Sequence, residues 1–379
     1  MKINKIHIAL IIGFVILVVM THFIALIFKY DMKSLLLDGS WDDGRTFYTI
    51  AVKGYPLDDI SEYRELALYP IFISFLIPFF GVNALLILSL CCSIINSLLI
   101  YLIVQRWYAP QKIAFYFAII FSFARLPTFF VPYFTVGLPS MTILTSIQGS
   151  ESLYLMLTLL SFYSFKKDHY IITFILIGLA SITRITALLI AIGYIIETIF
   201  RKNWKYMIYI FIPVGFILAH FFYFFIHSGD FLAYFSGCNI YYPEGVITYP
   251  FHDIVRAYRG EYRHLWETLI GWTAIYIYNI VGLSILAKKS RILFLITAPK
   301  LLLFFCLNGW GLHARYFITL WAIPLAFVLL LYSKEDKFEK MYAQIPQISS
   351  LKSSSNWSTD LAFQDILCSK DISEKEPTL

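Results

Sequence analysis

The chain has 379 residues and a formal net charge of +6, with 59% apolar residues and 14% charged ones, against about 25% charged in an ordinary soluble domain. A mean hydropathy of +0.72 excludes a conventional water-soluble enzyme. The basic balance in such a chain sets membrane orientation, so no nucleic-acid partner is inferred, and the five cysteines show no metal-ligand or disulfide spacing.

Apolar runs that approach the roughly 20 residues needed to cross a bilayer fall at 6–28, 83–105, 113–134, 150–165, 170–182, 185–199, 206–227, 267–287, 292–308 and 313–332. The expected fold is an all-α polytopic membrane protein with about ten transmembrane helices over 1–332. The first run is too long for a signal-peptide core and lacks a small-residue cleavage site, so it reads as a retained helix. Residues 333–379 are polar and slightly acidic, which predicts a disordered cytosolic tail.

Basic residues precede the first run at Lys2 and Lys5. They recur at Arg106 and Lys112, at Lys166 and Lys167, at Arg201, Lys202 and Lys205, and at Lys288, Lys289 and Arg291. If each run crosses once, these connections share one face, which the positive-inside rule makes cytoplasmic, together with both termini. The scheme requires that 66–81, short and carrying Pro70 and Pro78, form a re-entrant or interfacial helix on the outer side. It also requires that 170–199 form two short halves joined around Arg184. A single tilted helix there would put every later loop on the other side. The outer face then holds 29–82, 135–149, the Arg184 turn, 228–266 and the turn at 309–313.

The unusual polar residues collect on that face. Trp41, Asp42 and Asp43 lie just beyond the first helix, where either carboxylate could act as a general base; a capped turn is the alternative. Glu151 opens an apolar run after Ser150, and helix capping explains it as readily as a binding role. Arg184, between two apolar halves, needs a partner, a polar cavity or a path to the interface. Asp230 opens a loop rich in Tyr and Arg, and His313 and Arg315 stand at the mouth of the last helix, where anchoring at the interface competes with sugar or phosphate binding.

Taken in order, these pieces resemble the GT-C glycosyltransferase superfamily, and within it the GPI mannosyltransferase II family and its prokaryotic relatives. The matching elements are Trp41-Asp42, Ile50-Ala51 and Gly54-Tyr55, then Tyr69-Pro70, then Ser150-Glu151-Ser152 with Tyr154. Leu179-Ala180 with Arg184, Gly229-Asp230 and Arg315-Tyr316 follow, so that the similarity spans roughly residues 38–325. The spacing from Trp41 to Ile50 is longer than the family's, which leaves Asp42 and Asp43 both open as its catalytic aspartate. Ile73 replaces an expected proline, and Ile185-Thr186 replaces a small residue and glycine.

The resemblance implies a GT-C-like bundle with outer catalytic loops. It implies inverting transfer of a sugar, mannose in that family, from a polyprenyl or dolichyl phosphate donor to a glycolipid or glycan acceptor. Asp42 or Asp43 would be the base, and Arg184 and Arg315, with His313, Glu151, Asp230, Trp41 and Tyr69, would bind donor phosphate or substrate. No cofactor is implied and a divalent ion is left open. An accessory membrane subunit is a further expected partner beside the lipid bilayer. The modest loops favour a prokaryotic cell membrane over the endoplasmic reticulum. A transporter or flippase for lipid-linked sugars or small solutes is the alternative; it would place broken helices and polar residues near the midplane.

Overall fold

The structure, a computed structural model, describes residues 4–27, 43–57, 59–123, 150–241, 245, 247–259, 265–306 and 320–343. Those residues are helical apart from turns and short 3-10 segments. The α-helices are α1 (Lys5–Ile27), α2 (Asp43–Lys53), α3 (Leu68–Phe80), α4 (Ala84–Trp107), α5 (Gln111–Phe123), α6 (Glu151–Lys166), α7 (Tyr170–Ser181) and α8 (Ala187–Phe200). They continue with α9 (Phe211–Ser228), α10 (Ala233–Tyr241), α11 (His252–Tyr258), α12 (Leu265–Lys289), α13 (Arg291–Phe305) and α14 (Ala322–Ala343). The chain divides into two compact units, Met1–Leu330 and Leu331–Leu379; the described residues of the second, 331–343, are helical.

The arrangement inverts the rule of soluble proteins. Phe75, Phe79, Ile120, Phe211, Leu218, Phe222 and Ile226 are exposed, whereas Ser89, Ser93, Asn96, Ser97, Thr158, Ser161, Thr173 and Ser181 are buried. In lipid, apolar side chains lose nothing by facing outward, and small polar ones allow close helix packing if their hydroxyls are satisfied. They are satisfied locally: Ser93 donates to the Ser89 carbonyl at 2.5 Å, Ser97 to the Ser93 carbonyl at 3.1 Å and Thr158 to the Leu155 carbonyl at 2.9 Å. Two helical stretches among the described residues, Leu68–Trp107 and Trp204–Ser228, are long and apolar enough to cross a membrane.

The first of these stretches is folded rather than straight. Gly81 has φ +55° and ψ −136°, a conformation open to glycine because it lacks a Cβ, and it separates α3 from α4. The Tyr69 hydroxyl then reaches the Ser89 hydroxyl at 3.1 Å. Along a straight helix these two residues would be about 30 Å apart at 1.5 Å per residue, so α3 lies back against α4.

Contacts between connections define one end of the bundle. His7 is stacked on Phe115 and meets the Tyr101 hydroxyl, to which Gln111 donates at 2.9 Å; this joins the start of α1 to the α4–α5 turn. The Lys166 ammonium lies 5.6 Å from the Trp107 ring centroid. Arg201 pairs with Asp168 at 3.2 Å and with Glu197 at 3.0 Å, and Arg291 donates to Glu197 at 2.8 Å. Arg106, Lys166, Arg201 and Arg291 therefore gather at one end.

The Arg201–Asp168 contact also brings the end of α8 back to the start of α7, so residues 170–200 form an antiparallel pair rather than one tilted helix. At the other terminus, α14 runs eleven residues past 332, into the segment expected to be disordered. Ser333–Ala343 is rich in Lys and Glu, which favour helix once a preceding helix has supplied the nucleus.

Candidate functional site

The opposite end is built on the turn between α7 and α8. After Ser181 the helix unwinds, and the turn satisfies itself: the Arg184 N–H donates to the Ala180 carbonyl at 2.8 Å, the Thr183 hydroxyl donates to the Leu179 carbonyl at 3.1 Å, and the Arg184 carbonyl accepts from the Ala187 N–H at 3.0 Å as α8 begins. The turn also anchors α3, whose Leu68 N–H donates to the Ile182 carbonyl at 3.1 Å.

From this turn the Arg184 guanidinium reaches the Glu151 carboxylate, donating through Nη2 to Oε1. Glu151 is 5% exposed. Ser150, the residue expected to cap α6, makes no side-chain cap. Glu151 thus sits in the first turn, where the helix dipole favours a carboxylate, with a guanidinium as its ion-pair partner. Asn96 of α4 donates to the Ser152 carbonyl at 2.9 Å, fixing the start of α6.

The neighbouring residues enlarge the cluster. Tyr69, fully buried, directly follows Leu68, which is bonded to the α7–α8 turn, and its ring lies edge-on to Phe47 of α2 at 4.8 Å. Thr186 donates to the Tyr154 hydroxyl at 3.4 Å. The Lys300 ammonium lies 4.3 Å from the Tyr154 ring centroid, and Lys300 itself is 1% exposed.

Of the residues singled out from sequence, Tyr69, Glu151 and Arg184 come together here. Asp43 is the first residue of α2; its side chain is outside the description. Trp41, Asp42, His313 and Arg315 lie outside the described residues. Asp230 caps the turn into α10, accepting from the Leu232 N–H at 2.8 Å and the Ser236 hydroxyl at 2.7 Å. Lys300 was missed, although a lysine directly after Pro299 inside an apolar run is a signal in its own right.

Beside the cluster, outside the predicted spans, aromatic packing covers the loop that follows α2. Tyr55 donates to the Glu65 carbonyl at 2.5 Å and packs on Tyr63 and Phe224. Burial, with Glu65 nearby, holds its phenol well above the ordinary range, and burial likewise pushes the Cys238 thiol up to about 11. No group of metal-ligating side chains occurs among the described residues. Comparison with protein-family models, curated proteins and solved structures finds no match.

Proposed function

We propose that this protein is a GT-C-type membrane glycosyltransferase that moves a sugar, mannose by its resemblance, from a polyprenyl-phosphate donor to a lipid-linked or other acceptor on the outer face. The observation that carries the reading is the buried Glu151–Arg184 pair at the end of the bundle opposite the basic connections. Helix α2, which begins with Asp43, is held against that end through Phe47 and Tyr69. With the basic end cytoplasmic, the pair belongs to the outer half of a bundle of about ten crossings, α3 being the segment that does not cross.

In this reading Asp42 or Asp43 removes the proton from the acceptor hydroxyl as its oxygen attacks the anomeric carbon. The bond from that carbon to the phosphate oxygen breaks, and its electron pair departs on the lipid phosphate, with inversion. Charge accumulates on that phosphate in an oxocarbenium-like transition state, so a preorganised guanidinium lowers the barrier. Arg184 is held ready by Glu151, and Arg315 is the second candidate. A phosphate leaves without an acid, which suits a site whose buried carboxylate is already engaged by an arginine.

The test is transfer from radiolabelled polyprenyl-phosphate mannose by purified protein in liposomes with a membrane-lipid acceptor extract. Wild type is expected to transfer label, Asp42→Asn or Asp43→Asn to abolish transfer while donor binding persists, and Arg184→Ala to lower turnover at least a hundredfold, by about 3 kcal/mol of lost transition-state stabilisation. A wild type inactive with mannosyl, glucosyl and other polyprenyl-phosphate donors overturns the reading. The second reading, a transporter for lipid-linked sugars, is favoured by the interrupted α7–α8 segment and by the buried Lys300. Passage of labelled carrier across the bilayer without transfer would select it.

A further inference from the structure

Helix α9 ends in a reversal of the chain. Gly229 closes it in the left-handed conformation, with φ +75°, and the Gly229 N–H donates to the Phe225 carbonyl at 2.9 Å, a glycine C-cap that lets the backbone double back. Asp230 then caps the turn into α10. The rings record the result. Phe221 of α9 is edge-on to Phe231 at 5.7 Å and lies 6.3 and 6.0 Å from Tyr234 and Phe235. Because Phe221 comes seven residues before Ser228, about 10 Å of helix, α10 starts well back along α9 rather than beyond its end.

Helix α10 has two unlike faces. Ala233 and Gly237, four residues apart and so on one face, are buried. A Cβ on Gly237 would come within 2.6 Å of the Ile60 carbonyl oxygen, so the backbone of α10 rests directly on the short 3-10 helix Ile60–Arg64. On the far side, with Asn239, Leu232 and Phe235 are 51% and 40% exposed, and Phe231 in the turn is exposed as well. Apolar surface left in water costs roughly 25 cal/mol per Å², whereas in lipid it costs nothing.

What covers this face follows from α9. Leu218, Phe222, Phe225 and Ile226 are exposed at the spacing of one helix face, within the stretch Trp204–Ser228 that is long and apolar enough to cross a membrane. Phe231, Leu232 and Phe235 extend that apolar surface at the end of α9 remote from Arg201, Lys202 and Lys205. There Phe221, Phe224 and Ala233 share a small core with Ile182 and Ile185 of the α7–α8 turn.

We propose that α10 is an interfacial helix sunk into the leaflet opposite the basic end, with Phe231, Leu232 and Phe235 among the acyl chains and Gly237 against Ile60–Arg64 on its other side. The occupant of the exposed face is lipid. Its setback of about 10 Å from the end of α9 agrees with the roughly 5–10 Å to which amphipathic helices enter the headgroup and acyl boundary. Part of 228–266, expected from sequence to be an outer loop, is thereby a membrane anchor, and through Ile60–Arg64 it ties the segment that follows α2 to the lipid surface.

The test uses full-length protein without native cysteines in phosphatidylcholine liposomes, carrying one nitroxide at a time on Leu232→Cys, Phe235→Cys, Phe222→Cys or Lys53→Cys. Spin relaxation is measured with oxygen, which concentrates in lipid, and with a nickel chelate, which stays in water. Leu232→Cys and Phe235→Cys are expected to favour oxygen as Phe222→Cys does, and Lys53→Cys, at an exposed position outside the spans, to favour the chelate. In parallel, a phosphatidylcholine with a diazirine near the top of one acyl chain should label wild type within 229–240, a readout that needs no substitution. A chelate preference at both α10 positions would overturn the assignment in favour of a water-facing loop. Shielding from both relaxers would overturn it in favour of a protein contact, and so would label on α9 with none within 229–240. None of these outcomes involves sugar transfer, so this assignment and the glycosyltransferase reading stand or fall separately.

Discussion

Glu151 and Arg184 show how far a single polar residue can be interpreted before its neighbours are known. In the sequence each had an ordinary explanation, a helix cap for one and snorkelling for the other. The structure joins them across the start of α6 and the α7–α8 turn. Side-chain exposures of 6% and 17% put the pair where removing one partner is costly, about 3–5 kcal/mol. Arg184→Gln is therefore expected to lower the thermal midpoint in detergent more than the double change Glu151→Gln with Arg184→Gln, which leaves no lone charge; a double variant no more stable than Arg184→Gln would show that the two residues are not coupled. Asp230 illustrates the converse. Its place in a family-like Gly-Asp pair suggested a substrate contact, and the structure adds a structural task that the sequence did not show: both its oxygens cap the turn into α10.

At the scale of elements, sequence reading located the helices well because apolar runs bounded by charge are strong signals in lipid. It left their relative direction open. Whether 170–199 is one helix or two depends on which ends meet, and the Arg201–Asp168 contact supplies that information from residues 33 positions apart. Close packing of α8 on α13 is equally invisible beforehand. A Cβ on Gly193 would collide with the backbone carbonyl of Leu295, whereas one on Gly215 would meet nothing within 4 Å. Gly193→Ala is thus expected to destabilise by about 1–3 kcal/mol through overpacking, and Gly215→Ala to be neutral or to gain about 0.5–1 kcal/mol from helix propensity. Thermal midpoints of the two variants check both signs, and equal midpoints would contradict the α8–α13 packing.

For the molecule as a whole, the arrangement predicts sidedness. Lys53, at the end of α2, and Lys289, at the end of α12, are both exposed. In a background without native cysteines, Lys53→Cys is expected to react with an impermeant maleimide from outside the cell and Lys289→Cys only after permeabilisation. Labelling of both from one side would refute the crossing scheme.

The physical division between sequence and structure is clear in this chain. Composition and periodicity alone determined that it is helical and apolar, because the cost of unsatisfied backbone groups in lipid leaves few alternatives. They also marked Glu151 and Arg184 as charged residues beside apolar runs, whereas Tyr69 was singled out only by the family resemblance. Only the tertiary structure decided that these three share one site, that α3 folds back at Gly81, and that Lys300 faces the same cluster. Those outcomes depend on contacts between residues distant in the chain, such as Tyr154 with Lys300 and Asn96 with Ser152, and the energy of such contacts is absent from any local pattern.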